Sequence, residues 1–266
     1  MNVLVGCEYS GAVRDEFTRR GHTAVSCDLL ASTAPGGLHY QGDLLTLLFP
    51  ELRRYSLGES GPAATQFALI TQYEGDVLST LLNSFYGMRD NPKALTNTDR
   101  CILSLEWDLA LVHPPCTYLC SSGLHWNERV PGRAELTEEA LRFVATLWAA
   151  PVGYMGLENP VGCISTRLPH LPAPQYVQPY EYGSNASKKT GLWLRGLQRL
   201  KPTQYVAPRR VESGPFAGKA RWANQTDSGQ NNTPGGTKGK KSATQWKLRS
   251  TTYAGIAAAM AQQWAG

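Results

Sequence analysis

The chain has 266 residues, of which 42% are hydrophobic and 18% charged, with a formal net charge of +5. That length and apolar content suit one α/β domain with an appendage, and they exclude a disordered chain or a small disulfide-stapled scaffold. No apolar run approaches the roughly eighteen residues of a membrane span, and the strand pattern Val3-Leu4-Val5 stands where a signal peptide would be, so a soluble, cytoplasmic protein is expected.

In chain order, Asn2–Val5 reads as a strand that leads through a Gly6 and Gly11 turn into a helix over 12–20. Gly21 stops that helix, and 22–28 reads as a second strand, a βαβ opening. Gln41-Gly42-Asp43 followed by 44–48 is a further short unit. Residues 51–100, with Gly58, Gly61-Pro62 and Asp90-Asn91-Pro92, break the rhythm and read as an insertion or small subdomain with one possible helix around 76–86. A strand over 107–112 follows, then a helix over 137–149 with Thr137 as N-cap, and a strand over 152–157. Residues 163–180 are Pro-rich and loop-like, 192–194 is a short strand, and a helix over 253–264 closes the chain.

The cysteines at 7, 27, 101, 116, 120 and 163 are scattered rather than framed, which points to free thiols in a reducing compartment. Residues 201–250 carry ten Lys/Arg against Glu212 and Asp227, a net +8, leaving −3 for the rest. Such a segment fits a polyphosphate partner, while Lys238-Gly239-Lys240-Lys241 fits a solvated surface equally well.

Two short blocks carry the chemistry. Pro114-Pro115-Cys116 ends one strand and Glu158-Asn159-Pro160 ends another, so a thiol and a carboxylate can meet at the carboxyl edge of an open α/β sheet, where such folds bind ligands. Cys116 and Cys120 have the spacing of half a metal site, but no second Cys/His pair completes it, so no metal is expected.

In the order and spacing of these blocks the chain resembles the S-adenosylmethionine-dependent DNA cytosine carbon-5 methyltransferases, particularly compact phage-like members, over roughly 1–50, 107–200 and 250–264. The resemblance implies an open, mostly parallel, Rossmann-like sheet of the methyltransferase type. It assigns 1–200 plus 250–266 to a catalytic domain and 201–249 to a small basic target-recognition region, with double-stranded DNA as partner in a bacterial or phage-infected cell, as a monomer. Cys116 would attack carbon 6 of a flipped cytosine, Glu158 would bond ring N3, Asn159 would fix the turn, and Lys189 would replace an arginine that the family places in the following strand.

The cofactor S-adenosylmethionine would lie against Gly6, Glu8, Tyr9, Ser10 and Gly11, with Asp28 at the ribose hydroxyls, Asp43 at the adenine amino group, and Leu29, Leu44, Pro114 and Gly255 also at the pocket. Ser121 and Ser122 would contact phosphate. In the recognition region Arg209, Arg210 and Arg221 would meet phosphates, Asn224 and Gln225 base edges, and Trp222 the gap left by the flipped base. An alternative for that segment is a polar loop capping the core through Trp222 and Trp246. His113 would orient a phosphate or the thiolate, or be a packed neighbour of the site. Alternatives for the whole chain are a methyltransferase of free pyrimidine nucleotides, an amino methyltransferase, and a non-catalytic DNA- or cofactor-binding protein.

Overall fold

The structure, a computed structural model, describes residues 1–231 and 251–265. The Lys238–Lys241 cluster and Trp246 lie outside the described residues.

Strands β1 (Asn2–Gly6), β2 (Thr23–Asp28), β3 (Leu38–Gln41), β4 (Leu109–Val112), β5 (Tyr154–Pro160), β6 (Gln175–Val177) and β7 (Thr190–Arg195) form one sheet in the order β3-β2-β1-β4-β5-β7-β6. The first five run parallel, and β7 is antiparallel to both β5 and β6. The α/β class and the mostly parallel sheet are therefore as expected. The antiparallel β7, set between β5 and β6, separates this sheet from the dinucleotide-binding order.

Alternation along the strands assigns each side chain to one of two cores, because successive residues point to opposite faces. Val3, Val5, Leu109 and Leu111 meet α1 (Ala12–Arg19) and α10 (Ala254–Trp264) through Val13, Phe17, Ile256 and Met260. Leu4, Val25, Ala110 and Val112 lie in the opposite core with residues of α2 (Leu44–Leu48). Central parallel strands covered on both faces have to be apolar throughout, and β4, Leu-Ala-Leu-Val, is fully buried.

The 51–100 segment, expected as an insertion or small subdomain with one possible helix around 76–86, is largely helical. It contributes α3 (Pro50–Leu57), α4 (Pro62–Gln72), α5 (Gly75–Asp90) and α6 (Asn97–Leu103). Leu52, Leu69, Leu81, Phe85 and Ile102 from these helices join the core that holds Leu4 and Val25. The Gly/Pro punctuation bounds helices rather than loops: Pro62 opens α4, where its missing N–H costs nothing, and Asn91 caps α5.

Thr137 is likewise no N-cap. Helix α8 (Arg133–Ala149) starts a turn earlier, after Gly132 at φ 77°. The Thr137 hydroxyl, inside the helix, bonds the Tyr118 carbonyl at 3.1 Å and so ties α8 to the segment after Cys116. The Pro-rich 163–180 stretch contains α9 (Ile164–Arg167) and β6.

Glu158-Asn159-Pro160, expected on a turn, are the last three residues of β5. They stay extended because β7 supplies a second ladder, pairing Glu158 with Leu192, Asn159 with Gly191 and Pro160 with Thr190. Beyond β5 the chain is stapled to the segment that follows β4 and contains α7 (Ser121–Leu124). Ser121 N donates to Val161 O at 3.0 Å, and Cys163 N donates to Leu119 O at 2.9 Å. Gly162 lies between these bonds, and a Cβ there would run into the Leu119 carbonyl. Gly162→Ala is therefore expected to displace the whole 116–124 segment and to cost about 1–3 kcal/mol by overpacking, read as a lower denaturation midpoint; an unchanged midpoint would show the two loops to be independent.

Candidate active site

Strand order reverses between β1 and β4: the chain builds β2 and β3 on one side of β1 and returns to place β4 on the other. In open α/β sheets this is where the exits of neighbouring strands diverge and leave a crevice at the carboxyl edge. An open cleft occupies that position. Its lining comes from three exits: Cys7 to Ser10 after β1, His113 to Cys116 after β4, and Glu158 to Pro160 ending β5, joined by Lys188 and Thr252. Cys116 and Glu158, paired from sequence, thus share one cleft.

Asn159 fixes their relation. Its Nδ2 donates to Pro114 O at 2.8 Å, a buried bond across 45 residues. The side chain therefore ties β5 to the Pro114 carbonyl, two residues before Cys116.

His113 meets the carboxylate rather than a phosphate or the thiol. Its Nδ1 is 2.7 Å from Glu158 Oε2, and its backbone N–H bonds Gly6 O at 2.9 Å. For Glu158, burial alone would raise the pKa, but the His113 hydrogen bond and charge, with Lys188, bring it below its ordinary value. For His113, burial alone would lower the pKa, but the bond to Glu158, its charge and that of Glu8 raise it. Both shifts favour an ion pair. The second ring nitrogen, Nε2, is buried with no partner among the described residues.

Cys116 begins a helical turn in which the Leu119 and Cys120 N–H groups bond its carbonyl at 3.1 and 3.0 Å. That turn brings Cys120 beside it, a residue that in the sequence stands out only through its spacing from Cys116. The neighbouring Cys120 sulfur and burial push the Cys116 thiol pKa well up. Cys120 is pushed down to about 5 by its Cys116 neighbour, helped by the Ser122 hydroxyl and the Gly123 N–H. The two sulfurs titrate as one system, so a charge on either opposes a charge on the other.

The expected cofactor residues gather along the neighbouring strand ends, with their side chains variously engaged. Glu8 is buried, and its Oε1 accepts from Val13 N at 2.7 Å and from Ser10 Oγ at 3.3 Å. It caps α1 from the floor of the cleft, so its carboxylate is already committed. Tyr9 and Ser10 line the cleft, and Gly11, at φ 72°, makes the left-handed step into α1. Cys7 is left-handed as well, at φ 57°, and its thiol pKa is raised by burial and then by the charges of Asp28 and Asp43. Those two carboxylates therefore stand beside the Gly6-Cys7 turn.

Asp28 accepts from Leu30 N at 2.9 Å, and the neighbouring Leu29 is 75% exposed. Asp43 is the N-cap of α2, bonded by Leu45 N at 3.0 Å and by the Ser84 hydroxyl of α5 at 2.5 Å. Leu44 turns inward and packs over Gly6, where any Cβ would meet it. Pro114 lines the cleft. Gly255 lies instead against the Tyr182 carbonyl, where only glycine fits, and Thr252 reaches the cleft.

Several residues sit elsewhere than expected. Lys189 places its ammonium 4.2 Å over the Tyr176 ring, while Lys188 lines the cleft. Adjacent residues of an extended segment point opposite ways, so the choice between two consecutive lysines depended on a strand phase that the sequence leaves ambiguous. Ser121 Oγ is turned onto Val161 O at 3.0 Å, and Ser122 Oγ lies 3.3 Å from Cys120 Sγ.

Trp222 is stacked on Tyr180 at 4.0 Å and donates Nε1 to Val206 O at 3.1 Å, so it caps this segment rather than filling a flipped base's place. Arg209 and Arg210 form β8 (Arg209–Arg210), paired with β9 (Ala220–Arg221). Their guanidinium groups have internal partners: Arg209 with Asp227 at 2.7 Å, Arg210 with Gly218 O at 3.0 Å, and Arg221 with Asp227 O at 2.9 Å. Asn224 is bonded at both its amide atoms to Ser187, and Gln225 Oε1 accepts from Trp222 N.

Neither a family model nor a curated protein matches this chain. A solved E. coli structure, described as a provisionally assigned DNA modification methyltransferase encoded within a prophage, aligns with 77% of this chain and 52% of its own length, at 14% identity and a TM-score of 0.40. The chain spans about half the length of that structure. The functional reading therefore rests on the site.

No group of three or more His, Cys, Asp or Glu that could hold a metal occurs among the described residues, and no described helix is long and apolar enough to cross a membrane.

The ion pair has a testable pH signature. His113, raised, contributes stability below the ordinary imidazole value and loses it as pH climbs through its raised value; Glu158, lowered, contributes above the ordinary carboxylate value and loses it as pH falls through its lowered one. The stability gap between the wild type and His113→Ala should therefore be greatest between pH about 4.3 and about 6.5, reach about 3 kcal/mol, and shrink toward alkaline pH. A gap that widens with rising pH would contradict the pair.

Proposed function

We propose that the protein is a DNA cytosine carbon-5 methyltransferase that uses S-adenosylmethionine. The observation that carries this reading is the placement of Cys116 and Glu158 in one cleft at the strand-order reversal, held in register by the Asn159 to Pro114 bond.

The residues along the cofactor side fit such a ligand. An exposed Leu29 beside Asp28 offers an apolar face next to a carboxylate, the combination that a purine nucleoside's ring and ribose hydroxyls require. Asp43 already accepts two hydrogen bonds, and each carboxylate oxygen retains a lone pair for an amino group. When bound, S-adenosylmethionine supplies an electrophilic methyl group on sulfur.

Cytosine carbon 5 is too poor a nucleophile to take that methyl unaided. Cys116 adds through sulfur to carbon 6 of the ring, its thiol proton leaving to the Cys120 thiolate, and the ring electrons move toward carbon 5. Glu158, ionised in the free protein, takes a proton from water on the oxygen turned from His113 as the ring enters, passes it to N3 as charge builds there, and takes it back when the sulfur leaves. The carboxylate that remains is stabilised by the His113 imidazolium. After methylation the carbon-5 proton leaves to water, the electron pair reforms the ring double bond, and the Cys116 sulfur departs. Pro115 and the staples at Val161 and Cys163 hold the sulfur in place throughout, which converts binding order into rate.

The test is to incubate the protein with labelled S-adenosylmethionine and either duplex DNA or free dCMP and dCTP, then identify the methylated nucleoside by mass. Methyl label on carbon 5 of deoxycytidine in DNA is expected, reduced more than about 10³-fold in Cys116→Ser and at least about 10²-fold in Glu158→Gln. Label confined to free nucleotides, or on an exocyclic amine, would overturn the reading.

A further inference from the structure

Lys188 lines the cleft together with Cys116, Glu158 and His113, yet it belongs to a loop before β7 that has no strand ladder of its own. Its position is imposed from outside. Lys188 N donates to Gln178 Oε1 at 3.0 Å, and the Gln178 N–H is held in turn by Glu181 Oε2 at 2.7 Å. From the other side Asn224 grips the adjoining residue at both ends: Ser187 N donates to Asn224 Oδ1 at 2.8 Å, and Asn224 Nδ2 donates to Ser187 O at 2.9 Å. Ala223 N adds a bond to Asn185 Oδ1 at 3.0 Å.

This grip has the form of one rung of a sheet, made by a side-chain amide instead of a backbone. It leaves Ser187 with neither its donor nor its acceptor unspent, so the residue before Lys188 has little freedom to turn. Asn224 itself is anchored by its neighbour Trp222, stacked on Tyr180, and the chain before Trp222 is the β8–β9 hairpin.

We propose that Asn224 is a positioning residue that fixes Lys188 in the cleft, so that the folded 209–231 segment makes Cys116 a better nucleophile. An ammonium held in a partly desolvated cleft favours the anionic form of a nearby thiol, and the effect falls with distance and with the water that a loosened loop admits. The groups facing Cys116 that share in this balance are Cys120 and Glu158, both opposing the thiolate, with Lys188 favouring it. This inference rests on the catalytic reading of Cys116 but reassigns Asn224 from base contact to internal clamp.

The experiment is a double-mutant cycle on the full chain with neither DNA nor cofactor, in a Cys120→Ser background where Cys116 titrates alone. Alkylation of Cys116 by iodoacetamide is followed against pH by peptide mass. Lys188→Met is expected to move the midpoint upward and to slow alkylation about tenfold at neutral pH, with Lys188→Arg restoring most of the rate. Asn224→Ala should slow it at least about threefold, Asn224→Asp should fall between because it keeps only the acceptor, and adding Asn224→Ala to Lys188→Met should slow it no further.

Unchanged alkylation in Lys188→Met, or in both Asn224 variants, would overturn the proposal, as would losses from Asn224 and Lys188 that simply multiply. Because no methyl transfer is measured, a wild-type protein that fails to methylate DNA yet follows this cycle would reject the DNA substrate while leaving the clamp intact.

Discussion

A single buried amide joins the exits of β4 and β5. The Asn159 to Pro114 bond spans two adjacent parallel strands and opposes the splay of strand exits in a twisted sheet. Everything that gives the cleft its chemistry depends on that distance being fixed. Cys116 follows Pro114 by two residues and Glu158 precedes Asn159, so the amide sets the thiol and the carboxylate in one frame. The bonds at Ser121 and Cys163, and the space kept open by Gly162, repeat the same constraint a few residues further out.

Charge in the cleft is arranged in opposition. Glu158 is held ionised by His113, and the Cys120 sulfur and burial oppose a charge on Cys116. The free protein therefore stores a quiet nucleophile beside a compensated carboxylate. An incoming ring changes both balances at once, because it displaces water from the cleft and presents a nitrogen to the carboxyl group. Lys188 is the cation lining this cleft that comes from the region after β5, which makes the conformation of that region part of the site's electrostatics.

The sheet, its first βαβ unit, the Cys116 and Glu158 blocks and the strand ends at Asp28 and Asp43 were legible because apolar runs and turn residues record them directly. Four things were not. The helices over 50–103 were obscured because their Gly and Pro residues sit at helix ends, where they look the same as loop residues. The extension of β5 through Pro160 depends on pairing with β7, more than 30 residues later in the chain, which no local pattern records. Lys188 and Lys189 differ only in the face they point to. Trp222, Asn224, Arg209 and Arg221 have the composition of a nucleic-acid surface, but Trp222 and Asn224 are engaged with Tyr180 and Ser187 outside the 205–231 segment, and Arg209 and Arg221 with Asp227 within it. Composition reports what a side chain can do, and only the partner distances report what it is already doing.

The central claim is that Cys116 bonds covalently to a cytosine held by Glu158, and trapping tests it most directly. A duplex carrying 5-fluorocytosine at the target position has no carbon-5 proton to lose, so the ring stays attached after methylation. The account predicts a denaturation-resistant protein–DNA complex that requires S-adenosylmethionine, whose peptide map places the nucleotide on Cys116 and which is absent in Cys116→Ser. A nucleotide mapped to Cys120, or a protein that methylates cytosine without ever forming the complex, would contradict it.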